Sequence, residues 1–264
     1  MHSGNKITLF DNFQANFGKL VAIKTIKCML ENLNPENILF LDIETVPEYV
    51  DYSSAPDHFR RLWEKKADRL RHTEEETAAS LYNRAGIYAE FGKIICISVG
   101  FMHKGILRIK SFAGDDEKQV LTAFSGLLSS HYAKPEHNLC AHNGKEFDFP
   151  YIARRMLINQ LKLPHILDIS GRKPWEVSFI DTMDLWKFGD FKNYTSLELL
   201  AAVFNIPSPK DDIAGSEVHK VYWVDDDLPR IIKYCQKDVI TIVQLFRCFR
   251  GEPLLPAEQI SYVE

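Results

Sequence analysis

The run Ile38-Leu39-Phe40-Leu41-Asp42-Ile43 constrains this chain more than any other segment. It is short, apolar and bounded by polar residues, the pattern of a buried strand. Residues two apart on a strand point to the same face. Asp42 and Glu44 therefore share one face, while Leu41 and Ile43 point into the core. Two acids beside a buried apolar run are costly unless something neutralises them. Either the strand end frays into water, or the acids meet a positive partner inside the fold.

Around this strand the pattern predicts a mixed-sheet α/β domain. Lys93–Met102 and Ile106–Phe112 read as two strands joined at His103-Lys104-Gly105, a hairpin signal. Asp115–Tyr132 reads as an amphipathic helix with Val120, Leu121, Phe124, Leu127 and Leu128 on one side. A short strand is expected at Asn138–Ala141, a helix at Phe149–Gln160, a short strand or extended segment at Ser178–Asp181, and a helix at Ser196–Phe204. Asp227 and Pro229 mark the start of a long helix, Leu228–Phe249. Residues 57–85 hold no glycine or proline and are rich in Arg, Lys, Glu and Ala, so they read as one or two charged helices inserted after the first strand. Residues 1–36 form an N-terminal extension, with a helical run over Leu20, Ile23, Leu30 and Leu33 that ends at Asn34-Pro35. The main domain is expected over 37–250, with 251–264 as a C-terminal tail.

Two further segments place carboxylates at element ends. His142-Asn143-Gly144-Lys145-Glu146-Phe147-Asp148 follows a strand and opens a helix. Taken alone, Asp148 reads as a helix cap and Asn143 as a turn residue. Tyr234 and Asp238 are four apart on the long helix, so they lie on one face. Asp238 is too far inside that helix to cap it; an exposed Asp paired with Lys233 or Lys237 is the plain alternative.

Taken together the segments are more specific. Asp-x-Glu after an apolar strand, Asn-x-x-x-Phe-Asp about a hundred residues later, and Tyr-x-x-x-Asp on a C-terminal helix occur in this order. The set resembles the DEDD superfamily of 3′–5′ exonucleases, tyrosine branch, as in the proofreading domain of family B DNA polymerases and stand-alone bacterial relatives. The histidine branch would need His where Lys233 stands. The resemblance covers roughly residues 37–250. It implies a ribonuclease H-like mixed sheet flanked by helices. It also implies Asp42, Glu44, Asp148 and Asp238 as metal-site carboxylates, Tyr234 as a further catalytic group, and Thr45, Asn143 and Phe147 near the terminal nucleotide.

The chemistry fits such a set on its own grounds. Four clustered carboxylates repel, and without cations one or more is driven to hold a proton. Two divalent cations remove that conflict, and all-oxygen ligands favour Mg²⁺ or Mn²⁺ over zinc. Two such ions can clamp the attacking and leaving oxygens of a phosphodiester. Asp42 is expected to bridge both, with Glu44 and Asp238 on the nucleophile side and Asp148 on the leaving-group side. Tyr234, with an ordinary pKa near ~10, suits orienting a water better than deprotonating it.

The expected activity is release of nucleoside 5′-monophosphates from a single-stranded 3′ end, DNA favoured by the resemblance. The alternatives are an RNA-trimming exonuclease of the same fold and a nucleic-acid-binding module without catalysis. Phe147 could stack on a base or anchor the helix start. Lys145, Arg154, Arg155, Lys162, Arg172 and Lys173 form one basic group, and Arg61, Lys65 and Arg69 another; either could follow a phosphate backbone or be a solvated face. His142 is structural or a phosphate contact.

Composition sets the outer limits. A net charge of −4 excludes a globally basic nucleic-acid coat. Five cysteines, at 28, 96, 140, 235 and 248, show no C-x-x-C spacing, so reduced thiols and a cytoplasmic location are expected. No apolar stretch approaches the ~20 residues of a membrane span. No protein partner is identified.

Overall fold

The computed structural model describes residues 29–173, 176–177, 179–190, 192–207 and 213–263. The chain divides into two compact units, Met1–Leu33 and Asn34–Glu264. Of the first, the described part is a 3-10 turn beginning at Met29; the rest of the helix expected around Leu20 lies outside the described residues.

The second unit is built on a six-stranded mixed sheet in the order β5-β4-β1-β2-β3-β6. The strands are β1 (Ile38–Pro47), β2 (Gly92–His103), β3 (Ile106–Ala113), β4 (Asn138–Ala141), β5 (Ile180–Asp181) and β6 (Ile260–Tyr262). β1 runs antiparallel to β2 and parallel to β4. β2 and β3 form the expected hairpin, with Lys104 and Gly105 both at positive φ (50° and 80°). Two positive-φ residues are what a two-residue turn needs to match strand twist.

The helices are α1 (Asp57–Ala67), α2 (Glu117–His131), α3 (Asp148–Ile158), α4 (Thr182–Lys187), α5 (Leu197–Val203), α6 (Val218–Trp223) and α7 (Leu228–Phe249). Side chains of Asp116, Ser196 and Asp227 cap α2, α5 and α7. α4 and α6, six residues each, have no counterpart in the pattern read from the sequence. Residues 251–264, expected as a tail, carry β6, which pairs with β3 along Leu107–Ile109.

The alternation of β1 sorts its two faces. Leu39, Leu41 and Ile43 join the main core with Val120, Leu121, Phe124 and Leu128 of α2 and Phe149, Ile152 and Met156 of α3. The opposite face meets α7. Phe40 packs edge-on against Phe246, with ring centroids 5.3 Å apart. Val46 shares a cluster with Ile231. Six residues of strand span about 20 Å and fifteen residues of helix about 22 Å. α7 therefore lies antiparallel along β1, and the positions between these two contacts, Asp42 and Glu44 against Tyr234 to Asp238, face one another.

Of the one or two helices expected in the insert, the structure has one, α1. An irregular stretch then leads to a 3-10 turn at Tyr82–Ile87. It has its own small core of Trp63, Ala67, Ala78, Leu81, Tyr82 and Ala85. The Trp63 indole donates to the Ala78 carbonyl at 2.7 Å. Truncating this buried Trp to Ala would cost about 3–5 kcal/mol. Among the described residues, no helix is long and apolar enough to cross a membrane.

Candidate active site

Asp42 and Glu44 leave the sheet on the face that α7 covers. Asp42 stands opposite Ser98 and Glu44 opposite Cys96 in the β1–β2 ladder, and the register shifts between Glu44 and Thr45. That irregularity ends the strict alternation immediately after the second acid. Glu44 is 8% exposed, whereas Asp42 keeps part of its surface open to solvent.

Asp148 arrives from the β4–α3 connection. β4 pairs with β1 only along Ile38–Phe40. Beyond that point β4 no longer pairs with β1, and the Ile43 main-chain N–H favours the charged form of the Asp148 carboxylate. Asp148 is the first residue of α3 rather than the cap that its position suggested; Phe147 stands at the cap position, and the Asp148 backbone N–H favours its charged carboxylate. The carboxylate, 4% exposed, sits where the helix N-terminus favours negative charge.

The turn that delivers Asp148 is tightly constrained. Asn143 adopts φ 61°, and its carbonyl accepts from the N–H groups of Glu146 (3.2 Å) and Phe147 (3.0 Å). At Gly144 an added Cβ would lie 2.4 Å from the Ala141 Cβ, so only glycine fits. Asp181, at the end of β5 and 2% exposed, anchors this turn. Its carboxylate accepts from the N–H groups of Asn143 (2.9 Å) and Lys145 (3.0 Å), and on the other side from Met183 (2.9 Å), capping α4. Asp181 is not among the residues that the sequence motifs single out. The only signal was an Asp-Thr pair at the end of a possible strand, a helix-start pattern. Ser178, the expected start of that strand, lies outside the described residues.

Electrostatics bind the acids into one group. Burial pushes the Asp42 carboxyl well up, and Glu44, Asp238 and Asp148 push it further. Glu44 is raised by burial, Asp238, the Cys96 thiol and Asp148. Burial lifts Asp148 to about 7, with Asp181 adding to the rise. The Tyr234 phenol is raised far above its ordinary value by burial and by Asp238, Glu44 and Asp42, and its hydroxyl is hydrogen-bonded to Asp238. It is therefore a fixed, protonated phenol. Asp42 and Glu44 are thus the common neighbours: both feel Asp148 and Asp238, and both act on Tyr234.

One neighbour was not anticipated. The Cys235 thiol has its sulfur within 4.8 Å of carboxylate oxygens of Asp42 and Glu44. It is already engaged, donating to the main-chain oxygen of Asp42 at 3.4 Å. Buried carboxylates that raise one another are the donor chemistry a hard divalent cation satisfies. Asp42 and Glu44 bring carboxylate oxygens within 4.8 Å of one another, as a shared Mg²⁺ or Mn²⁺ would need, and Asp148 and Asp238 act on both electrostatically.

The other expected contacts divide. Thr45 is half-buried with its hydroxyl against the Tyr151 phenol. The half-buried Phe147 ring packs on Tyr151 (centroids 5.4 Å apart) and against the main core. His142 is structural: its ring nitrogens meet the Thr182 hydroxyl (2.8 Å) and the Thr195 carbonyl (2.9 Å). Arg155 is no phosphate contact. It is buried, bonding Glu117 (2.8 Å through Nε), the Ala89 carbonyl (2.9 Å) and Glu48 (2.9 Å). Lys145 pairs with Asp184 at 3.3 Å. Arg154, Lys162, Arg172 and Lys173 are exposed. Among the described residues, Cys96, Cys140, Cys235 and Cys248 are free thiols.

Residues 87–252 match the profile of a family described as predicted 3′-5′ exonucleases related to the exonuclease domain of PolB. The matched range contains Asn143, Asp148, Tyr234 and Asp238; Asp42 and Glu44 precede it. Among solved structures, the chain is similar to the family B DNA polymerase from the hyperthermophilic archaeon Pyrobaculum calidifontis, with 16% identity and a TM-score of 0.46. That likeness covers 78% of this chain and 23% of the polymerase, so this chain spans about a quarter of the polymerase's length.

Proposed function

The chain belongs to the family of predicted 3′-5′ exonucleases related to the exonuclease domain of PolB, and from that premise we propose that it is a divalent-cation-dependent 3′–5′ exonuclease acting on the 3′ end of single-stranded nucleic acid, with DNA preferred. The observation that carries this reading is the convergence of buried carboxylates: Asp42 and Glu44 are raised by burial and by Asp238 and Asp148 beside them, and Tyr234 is raised by Asp238, Glu44 and Asp42. These groups come from a strand, a helix start and a helix interior, and their repulsion is unresolved without positive charge. Asp42, Glu44, Asp148 and Asp238 would hold two Mg²⁺ or Mn²⁺ ions. When bound, such ions supply the positive charge that stabilises both the attacking and the departing oxygen of an in-line displacement.

The chain's own residues account for the rest. A phenol has one proton to donate, and Tyr234 directs it at Asp238. Its oxygen lone pairs then accept from the attacking water and aim that water at phosphorus. Attack forms the new P–O bond as the P–O3′ bond breaks. The attacking water gives up a proton to solvent, the departing 3′ oxygen takes one up from solvent, and the released nucleotide keeps its 5′ phosphate. Thr45, Asn143 and Phe147 border the terminal nucleotide in this reading.

The direct test compares labelled linear single strands of DNA and RNA with a circular single strand, in Mg²⁺ and in chelator. Mononucleotides released from linear strands only, and only with Mg²⁺, are expected. Rapid cutting of the circle would remove the directional reading.

A further inference from the structure

The exposed side of α1 presents Arg61 and Lys65 four residues apart, with Arg69 four further on. The helical path continues past Ala67: the Asp68 N–H donates to the Glu64 carbonyl (2.9 Å) and the Arg71 N–H to the Ala67 carbonyl (3.0 Å). The three cations therefore share one side over about 12 Å. The opposite side buries Trp63 and Ala67.

A solvated face would interleave these cations with acids that neutralise them. The acids of this helix are engaged elsewhere. Asp57 pairs with Arg60, Asp68 with Arg71 (3.2 Å), and Glu64 accepts from the Tyr52 hydroxyl. The next acids follow the helix in the loop at Glu74–Glu76, where Glu76 accepts the His72 N–H at 2.6 Å. Among the described residues, none of Arg61, Lys65 and Arg69 stands in an ion pair.

The insert is locked to the end of β1 that carries the acids. It leaves at Glu48, and Tyr49 packs on Phe59 of α1 with centroids 5.3 Å apart. It returns at Gly86, where an added Cβ would meet the Val46 carbonyl carbon at 2.9 Å. The Gly86 carbonyl accepts from Tyr151 (2.7 Å), the phenol that lies against Thr45. A nucleic-acid strand ending at the carboxylates needs positive charge away from them, because the chain as a whole is anionic.

We infer that the Arg61–Lys65–Arg69 face binds the phosphodiester backbone of the strand whose 3′ end occupies the carboxylate site. This deepens the exonuclease reading and rests on it for the identity of the strand.

The experiment measures binding of fluorescent dT20 and rU20 to the full chain in chelator across 50–200 mM salt. Wild type is compared with the triple variant Arg61→Gln, Lys65→Gln, Arg69→Gln, and with an equal charge change elsewhere, Lys118→Gln, Lys134→Gln, Lys220→Gln. Three lost phosphate contacts should reduce the slope of log K against log salt by about 2. The affinity gap should then be about 20-fold wider at 50 than at 200 mM. Hydrolysis of the p-nitrophenyl ester of thymidine 5′-monophosphate in Mg²⁺, which has no backbone beyond the scissile group, should not change. If the triple variant matches wild type, or falls no further than the control, while wild type hydrolyses the ester, the surface is overturned and the exonuclease reading stands. If binding falls as expected but wild type hydrolyses neither ester nor strand, the surface stands and the exonuclease reading fails.

Discussion

The Cys235 thiol donates to the main-chain oxygen of Asp42 at 3.4 Å, joining α7 to β1 at the level of the carboxylates. The residues on either side of this contact on the helix, Tyr234 one position before and Asp238 three after, are thereby held over the strand that carries Asp42 and Glu44. The geometry is set by buried packing rather than by a loop, which is how a catalytic set is kept in register.

Asp42→Asn and Asp238→Asn should each reduce hydrolysis to near background, because in the proposed function each would remove a cation ligand. Asp42→Asn should also stabilise the metal-free protein, since it takes a desolvated, repelled carboxylate out of the cluster. Its melting temperature in chelator at pH 8 should rise, by about 2–4 °C for each kcal/mol relieved. Thermal melting beside a nuclease assay checks both; an active Asp42→Asn enzyme would dismiss the ligand assignment.

The metal-free protein should lose stability as pH rises through the range set by Asp148. Its carboxyl titrates at about 7 in the fold and near ~3.9 in an unfolded chain. Between those values the folded state binds more protons than the unfolded one, so stability falls with increasing pH. Asp42 and Glu44, also raised, add in the same direction. Saturating Mg²⁺ should flatten or reverse the trend. Melting curves from pH 4.5 to 8, with and without Mg²⁺, test it; a metal-free protein that gains stability across this range would contradict it.

Tyr234→Phe keeps the ring and loses one hydroxyl. Single-turnover hydrolysis should slow by about 10²-fold or less, since one oriented hydrogen bond is removed. Mn²⁺ binding should be little altered. Wild-type rates in this variant would reduce the tyrosine to packing.

Asp181→Ala leaves the turn N–H groups of Asn143 and Lys145 without their acceptor and uncaps α4. The cap alone is worth about 0.5–2 kcal/mol. Turnover should fall as well, although Asp181 lies outside the set that touches substrate, because Asp148 is delivered by that turn. A destabilised variant with undiminished turnover at low temperature would separate the turn from the site.

The parts of this architecture visible in the sequence are those governed by local rules. α7 spans Leu228–Phe249 as expected because a capping Asp227 and Pro229 fix its start. Asp42 and Glu44 share a face because strand periodicity allows nothing else. Asp181 was not visible, because its importance depends on N–H groups more than thirty residues away. Arg155 read as a surface cation because sequence shows charge and not burial; its partners come from Glu48 and Glu117, far along the chain. The three-residue β6 has no pattern of its own and exists only against β3.

That short last strand has a bearing on solubility. β3 is otherwise an outer strand with a row of backbone donors and acceptors, and β6 covers them only along Leu107–Ile109. Detaching β6 would bare the first half of this row and make it a template for a strand from another molecule. Losing the residues near Ile260 would expose that edge, and the cost would be read as a lower protein concentration at which self-association begins.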